Sequence, residues 1–334
     1  MNALIFLFGF LFGAILSYAS LNRFNVISGL ATRDNFAVPK AIAIAIALGA
    51  ILLSIETGMG WASFHIKPFI VGGIILGGLL FGAGMAILGY CPGTLAVSLG
   101  EGSLDALIGI LGGLLAGWIY TLSLPHISTL LGPDLGKTAW STTLSGSSAY
   151  ALGVLIFAGL LTAAAFWLHK KEAAKDLKWL YAGIALAVLE VIVFFSGATN
   201  RPIGASTTFP YVADVLTNTT DNNYFEKIAT PGHWELIFLI GAFLAGLLIA
   251  LIKKDFRFTL LHDNWKRYKG DSKAGRALWA FVGGFILIFG ARMAGGCTSG
   301  HILSGGMQMA GSSLVFTLFV FIGILATGKL FYKK

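Results

Sequence analysis

The sequence has 334 residues, of which 56% are hydrophobic and only 11% are charged, and its mean hydropathy is +0.82. Soluble domains carry roughly 25% charged residues, so this composition excludes an ordinary soluble enzyme and indicates a multi-pass membrane protein. The net charge of +8 is better explained by basic loops that orient spans in a bilayer than by nucleic-acid binding.

Apolar stretches recur along the whole chain, and a spanning helix needs about 20 mostly apolar residues. The first stretch lacks the basic region and cleavage site of a signal peptide, so we interpret it as a span. The segment 41–53 alternates like a strand, but nothing near it supports a barrel, and we expect a helix. We therefore predict an all-α membrane protein with about nine transmembrane helices, near 3–20, 40–55, 68–90, 103–123, 146–169, 178–197, 232–252, 277–295 and 311–331.

Lysine and arginine are concentrated in the connections 169–178 and 253–276 and in the C-terminal tail. Because cytoplasmic loops carry an excess of basic residues, all three are predicted to be cytoplasmic. Nine spans place all three on one side. The N-terminus and the connections 124–145 and 198–231 then lie outside, and we expect a bacterial inner-membrane location.

Two parts of the chain are similar to each other. Residues 71–91 read VGGIILGGLLFGAGMAILGYC, and residues 282–297 read VGGFILIFGARMAGGC. This predicts a single membrane transport domain with pseudo-repeat A over 1–123, a connector helix over 146–169 and pseudo-repeat B over 178–334. Because the connector is a single span, the second copy has the opposite orientation in the membrane, as in many secondary transporters.

The two cysteines each lie in a glycine-rich motif that ends an apolar span. The Cys91 motif is GYCPGT (89–94), and the Cys297 motif is GGCTSGH (295–301). Glycine and proline break the helix, and such breaks are tolerated at membrane depth where the backbone lines a cavity or is buried in protein. A lone buried cysteine is ordinarily a small hydrophobe, but the matching positions in a repeat favour a functional role beside backbone N–H groups that suit an anion.

These two motifs, in this order on one chain, resemble the paired motifs of the YeeE/YedE sulphur-transport family. Glu101 lies in a Gly-Glu-Gly stretch that is also similar to the family, and the segment from Arg23 to Asp34 resembles the family's early Arg-Phe-Cys segment. The resemblance covers nearly the whole chain. It implies an hourglass-shaped inverted-repeat protein with short re-entrant helices that takes up thiosulfate, with Cys91 and Cys297 passing the ion along a central path.

This chain departs from the family at one position, and the resemblance also implies a partner protein. Many members have a third cysteine where this chain has Asn25, which donates a hydrogen bond but has no sulphur. This leaves open a different cargo, namely sulphide, polysulphide or a selenium compound. The family often works with a separate cytoplasmic TusA-like sulphur-carrier protein, which we expect as a partner beside membrane lipid.

Other residues are candidates for the substrate path, each with a structural alternative. Arg292 lies inside an apolar span, where charge is rare and usually functional, and it either attracts the anion or forms an ion pair. His301 is either a donor that lines the path or a hydrogen-bonded structural residue, and Glu101 either pairs structurally, the favoured interpretation, or moves protons. Glu190, also inside a span, either pairs with a neighbour or couples transport to protons. The full set of path candidates is Cys91, Cys297, Gly93, Thr94, Thr298, Ser299, Gly300, His301, Asn25, Arg292 and Glu101.

Thiosulfate is a dianion with a soft terminal sulphur, and a neutral thiol can donate a weak S–H bond to it. Successive weak sites let an ion enter and leave, whereas a thiolate relay would repel the anion. An alternative of another class is a membrane thiol oxidoreductase that uses the two cysteines as a redox pair, although the chain has no Cys-x-x-Cys pair. We expect no metal site, no other cofactor and no nucleic-acid partner.

Overall fold

Apolar stretches form helices in a membrane because each backbone N–H and C=O must be satisfied within its own segment. The computed structural model describes residues 1–141, 147–172 and 176–333, and this part of the chain holds helices and isolated β-bridges but no strand. The helices are α1 (Asn2–Tyr18), α2 (Phe24–Thr32), α3 (Ala37–Gly58), α4 (Val71–Leu88), α5 (Pro92–Gly100), α6 (Leu104–Leu131), α7 (Ser148–Lys171), α8 (Lys178–Phe194), α9 (Thr208–Leu216), α10 (Asn223–Ile252), α11 (Asp263–Lys269), α12 (Lys273–Met293), α13 (Ser304–Met307) and α14 (Gly311–Phe331). A π-helical turn, Thr298–Leu303, precedes α13.

Each of the nine predicted spans coincides with a helix: α1, α3, α4, α6, α7, α8, α10, α12 and α14. Seven helical segments of the described chain are long and apolar enough to cross a membrane, and α1 is apolar but shorter. The stretch 41–53, which alternates like a strand, lies within α3. The all-α membrane class is therefore confirmed, whereas the number of spans stays a prediction.

The helices follow the same order of lengths on both sides of α7: long, short, long, long, short, long, with α11 as an additional short helix in the second half. Their packing is paired in the same way. Helix α1 packs on α10 as α8 packs on α3, and α6 packs on α12 as α14 packs on α4. A two-fold pseudo-repeat would produce this pairing, although the repeat and its inversion stay predictions.

Helices α4 and α12 cross at the centre in antiparallel directions, and glycines let their backbones approach. A Cβ on Gly77 would lie 2.6 Å from the carbonyl oxygen of Gly290, and one on Gly84 would lie 2.5 Å from the amide nitrogen of Leu287. The end of α4 therefore lies beside the start of α12, and the end of α12 beside the start of α4. Cys91 follows the C-terminal end of α4, and Cys297 follows the C-terminal end of α12.

Candidate functional site

Cys91 lies at the break between α4 and α5. Gly89 ends α4 in the left-handed conformation, with φ of 79°, and Pro92 occupies the first turn of α5, where its missing N–H costs nothing. The Thr94 hydroxyl oxygen accepts the Cys91 N–H at 2.8 Å and lies 3.4 Å from the Cys91 Sγ. The thiol is half-buried. Thr94 thus caps the helix and contacts the sulphur with one side chain.

Cys297 lies at the corresponding break after α12. Gly295 has a φ of 73°, and Cys297 caps the π-helical turn. Its Sγ lies 3.2 Å from the Ser299 hydroxyl, and the side chain is buried. The Thr298 hydroxyl lies 3.8 Å from the Met85 Sδ on α4, so the Cys297 motif reaches the helix that leads to Cys91.

The two cysteine motifs belong to one region. Their thiols are close enough to interact electrostatically. The segment 203–207, which leads into α9, lies against both motifs. A Cβ on Gly93 would be 3.7 Å from the Cβ of Ala205, and one on Gly300 would be 3.8 Å from the carbonyl oxygen of Ile203. The structure thus brings Cys91, Gly93, Cys297 and Gly300 together around this segment.

Lys67 is the cation nearest to the Cys297 motif. It lies in the connection between α3 and α4, and its Nζ donates to the Gly295 carbonyl at 2.6 Å. A Cβ on Gly296 would overlap this ammonium group, so a larger residue at this position would displace it. Desolvation lowers the pKa of Lys67 to about 8. In the described part of the chain Lys67 forms no ion pair with a carboxylate.

Arg292 on α12 is buried within the same region. It donates hydrogen bonds to the Tyr224 hydroxyl at 2.8 Å, the Thr207 hydroxyl at 3.1 Å and the Ser206 hydroxyl at 3.3 Å. All three partners are neutral, so Arg292 keeps its full positive charge while it fixes the segment 203–207.

A third cation, Arg201, has a carboxylate partner. Its Nη2 lies 4.0 Å from the Glu235 Oε1, and its guanidinium stacks on the Trp234 ring at 4.4 Å. Glu235 also accepts the backbone N–H groups of Thr207 and Thr208 at the start of α9. The region around Cys297 thus holds three cations, Lys67, Arg201 and Arg292, and one carboxylate, Glu235. The net charge of these four groups is positive, which favours an anion.

A separate buried ion pair supports the break before Cys91. Arg276 and Asp105 are both fully buried and form a salt bridge with an Nη2–Oδ2 distance of 2.5 Å. Arg276 also donates to the carbonyls of Ile87 and Leu88 at the end of α4. The carbonyls released by the helix break are therefore satisfied, as burial requires.

Two sequence candidates have structural partners outside the thiol region. Asn25 is exposed and accepts the backbone N–H of Asn264 on α11 at 3.0 Å. Glu101 accepts from the Ser17 hydroxyl at 3.0 Å and lies 4.0 Å from the Arg23 Nε. Neither residue bonds to a motif cysteine in the described chain.

His301 is fully buried in the Cys297 motif, and both ring nitrogens are used. Nε2 lies 2.8 Å from the Ala294 carbonyl, which requires a proton on Nε2, and Nδ1 then accepts from the Ser313 hydroxyl at 2.9 Å. This geometry favours the structural alternative for His301.

Sequence reasoning missed Lys67, Met85 and the segment 203–207. One signal for Lys67 was available, since it is the only lysine or arginine between Lys40 and Lys137. The segment 203–207 offered none, because its role depends on tertiary contacts. Within the described residues no group of three or more potential ligands could hold a metal ion.

The chain is similar to known sulphur-transport proteins over nearly its whole length. A family model described as sulphur transport matches residues 19–326. The thiosulfate transporter TsuA of Spirochaeta thermophila is 26% identical over 352 positions, with 98% of each chain covered. The thiosulfate transporter TsuA of Escherichia coli K12 is 22% identical, with 98% of this chain and 94% of the relative covered. The oxidoreductase alternative is therefore wrong: the chain is a multi-pass membrane transporter and belongs to the sulphur-transport family.

Proposed function

We propose that this protein takes up thiosulfate across the bacterial inner membrane. Both relatives above carry the name of thiosulfate transporters and match this chain over nearly its whole length. A region with net positive charge that also holds two thiols suits a dianion with a soft terminal sulphur.

The observation that carries the proposal is the meeting of the two motifs at the segment 203–207. The two thiols follow separate helix breaks yet lie near each other, and the segment 203–207 lies beside both motif glycines. In the proposed mechanism the anion first meets Lys67 and the Cys297 thiol and then moves to the Cys91 thiol. Both thiols stay neutral and donate weak S–H bonds, so neither traps the ion.

The remaining candidates have supporting roles in this proposal. Thr94 and Ser299 contact the two sulphurs, and Thr298 joins the Cys297 motif to α4. Gly93 and Gly300 lie beside the segment 203–207, while Arg292 donates hydrogen bonds to Ser206 and Thr207 of that segment and adds positive charge. Glu101 and His301 hold the surrounding structure, and Asn25 joins α2 to α11.

We further propose that the N-terminus lies outside and the C-terminus in the cytoplasm, and that pseudo-repeats A and B approach the bilayer centre from opposite faces. The pairwise packing of the helices supports the second point, and the basic connections support the first. A separate cytoplasmic TusA-like protein would accept the sulphur compound, as the family resemblance implies. Co-purification of that carrier with the transporter tests this partner.

Uptake of labelled thiosulfate into proteoliposomes tests the function. We expect the parent to take up the ion, and we expect Cys91→Ala and Cys297→Ala to reduce uptake at least about tenfold, the effect of losing about 1.4 kcal/mol at the limiting step. Cys297→Ser is the matched control, since it keeps a donor but loses the soft sulphur. If the alanine variants fold and transport as well as the parent, the thiol mechanism is refuted. Competition by sulphide, polysulphide and selenium oxyanions separates the alternative cargoes.

A further inference from the structure

Glu190 on α8 is a buried carboxyl group that the thiol mechanism does not use. Its side chain is fully buried. One oxygen, Oε1, accepts the backbone N–H of Ile203 at 3.0 Å and the Ser304 hydroxyl. The other oxygen, Oε2, has no hydrogen-bond partner in the described part of the chain. Glu190 therefore has a site for a proton and a fixed orientation.

Ser304 and Ser299 lie between this carboxyl and the Cys297 thiol. The Ser304 hydroxyl lies 2.8 Å from the Ser299 carbonyl oxygen, and the Ser299 hydroxyl lies 3.2 Å from the Cys297 Sγ. Ile203 also begins the segment 203–207, which lies beside both motifs. The charge on Glu190 is therefore connected to the substrate region through both of its hydrogen-bond partners.

No cation neutralises Glu190 within the described residues. Lys40 is bonded to Glu172, Arg201 lies beside Glu235, and Lys67 donates to the Gly295 carbonyl. None of the titratable side chains on the neighbouring elements bonds to Glu190: Tyr18 of α1, Lys40 and Glu56 of α3, His65 and Lys67 of the connection 59–70, Arg201 of the segment before α9, and Cys297 and His301 of the Cys297 motif. Since an unpaired carboxylate in an apolar interior is costly, burial favours the protonated form.

A proton that accompanies thiosulfate lowers the electrical work of its uptake, because the net charge moved falls from two negative charges to one. Each negative charge that moves inward works against a membrane potential that is negative inside. A charged Glu190 would also repel the dianion from the neighbouring thiol site, whereas a neutral carboxyl would not. By linkage, the proton on Glu190 favours anion binding, and the anion favours the proton to the same extent.

We propose that Glu190 carries a proton that is co-transported with thiosulfate, an inference that rests on the proposed uptake function. The carboxylate takes a proton from the external side as the ion binds, and releases it to the cytoplasmic side as the ion leaves. Each cycle moves one proton and one dianion, and no covalent bond of thiosulfate changes.

Proteoliposomes with a proton gradient test the proposal. With about two pH units across the membrane, acidic outside, and the potential held near zero with potassium and valinomycin, one proton per ion allows the parent up to ~100-fold accumulation of labelled thiosulfate. We expect Glu190→Gln to reach a ratio near one. Glu56→Gln is the matched control, because Glu56 is also a buried carboxyl with an unpartnered oxygen but lies outside the Cys297 network, and it is expected to accumulate as the parent does.

The outcomes separate the two proposals. If the parent takes up thiosulfate down its gradient but a proton gradient produces no accumulation, proton coupling is overturned and uptake stands. Accumulation by Glu190→Gln equal to that of the parent also overturns coupling. Absence of any thiosulfate uptake by the parent overturns both proposals. If Glu190→Gln does not fold, the parent protein is tested instead, in weakly buffered detergent solution with a pH indicator. Addition of thiosulfate is expected to remove protons from the solution. An unchanged pH would overturn the inference.

Discussion

Lys67→Gln removes the ammonium group beside the Cys297 motif and keeps a polar side chain of similar reach. Lys67 contacts the motif through its bond to the Gly295 carbonyl and is close enough to Cys297 for electrostatic interaction. A hydrogen bond to a charged group contributes about 1.5–3 kcal/mol, which corresponds to roughly a 10- to 150-fold change in affinity. We therefore expect the KM for thiosulfate uptake to rise by that factor, with a smaller change in the maximal rate.

The pH dependence of uptake supplies the sharper assay. Burial lowers the pKa of Lys67 to about 8, so the charge is present below that pH and is lost as the pH rises through it. With equal pH on both sides of the vesicle, KM is expected to rise above about pH 8 for the parent. Lys67→Arg, the matched control, stays charged and is expected to lessen this rise, with the loss of the Glu190 proton accounting for what remains. A parental KM in Lys67→Gln, or the same pH profile for the parent and Lys67→Arg, would refute the reasoning.

Three further variants test the supporting structure. Asp105→Asn leaves Arg276 buried without its partner, and we expect a loss of about 3–5 kcal/mol in unfolding free energy, seen as a lower Tm. His301→Ala removes two buried hydrogen bonds and is expected to lower stability by about 1–3 kcal/mol while thiosulfate KM changes less than about twofold; a large KM change at normal stability would assign His301 to the path. Gly77→Val collides with the backbone of α12 and is expected to cost at least about 1–3 kcal/mol, whereas Gly159→Val, whose Cβ meets no atom within 4 Å, is expected to unfold at the parental temperature.

Local sequence patterns predicted most of the helices because apolar length and glycine spacing are local properties. The stretch 41–53 in α3 shows which local property decides. Its residues alternate like a strand, but its apolar length predicts a helix, because a helix satisfies its own backbone groups in a membrane. The breaks at Cys91 and Cys297 were also predictable from Gly89, Pro92 and the paired glycines before Cys297.

The parts of the site that depend on long-range contacts were not predictable. Lys67 is more than 200 residues away in sequence from the motif that it contacts, and an extended connection has no periodicity that reveals its partner. Asn25 occupies a family-like position, yet the sequence could not show that its amide contacts α11. Likewise, the sequence could not show that the hydrogen-bond partners of Arg292 are three hydroxyl groups.

Anomalous diffraction from crystals soaked with selenosulfate, after competition with thiosulfate uptake has been shown, locates the ion directly. A selenium peak in contact with the Sγ of Cys91, of Cys297 or of both, beside the segment 203–207, is the predicted result. A peak bound elsewhere in the molecule, with the region between the two sulphurs closed by packed side chains, would contradict the shared path.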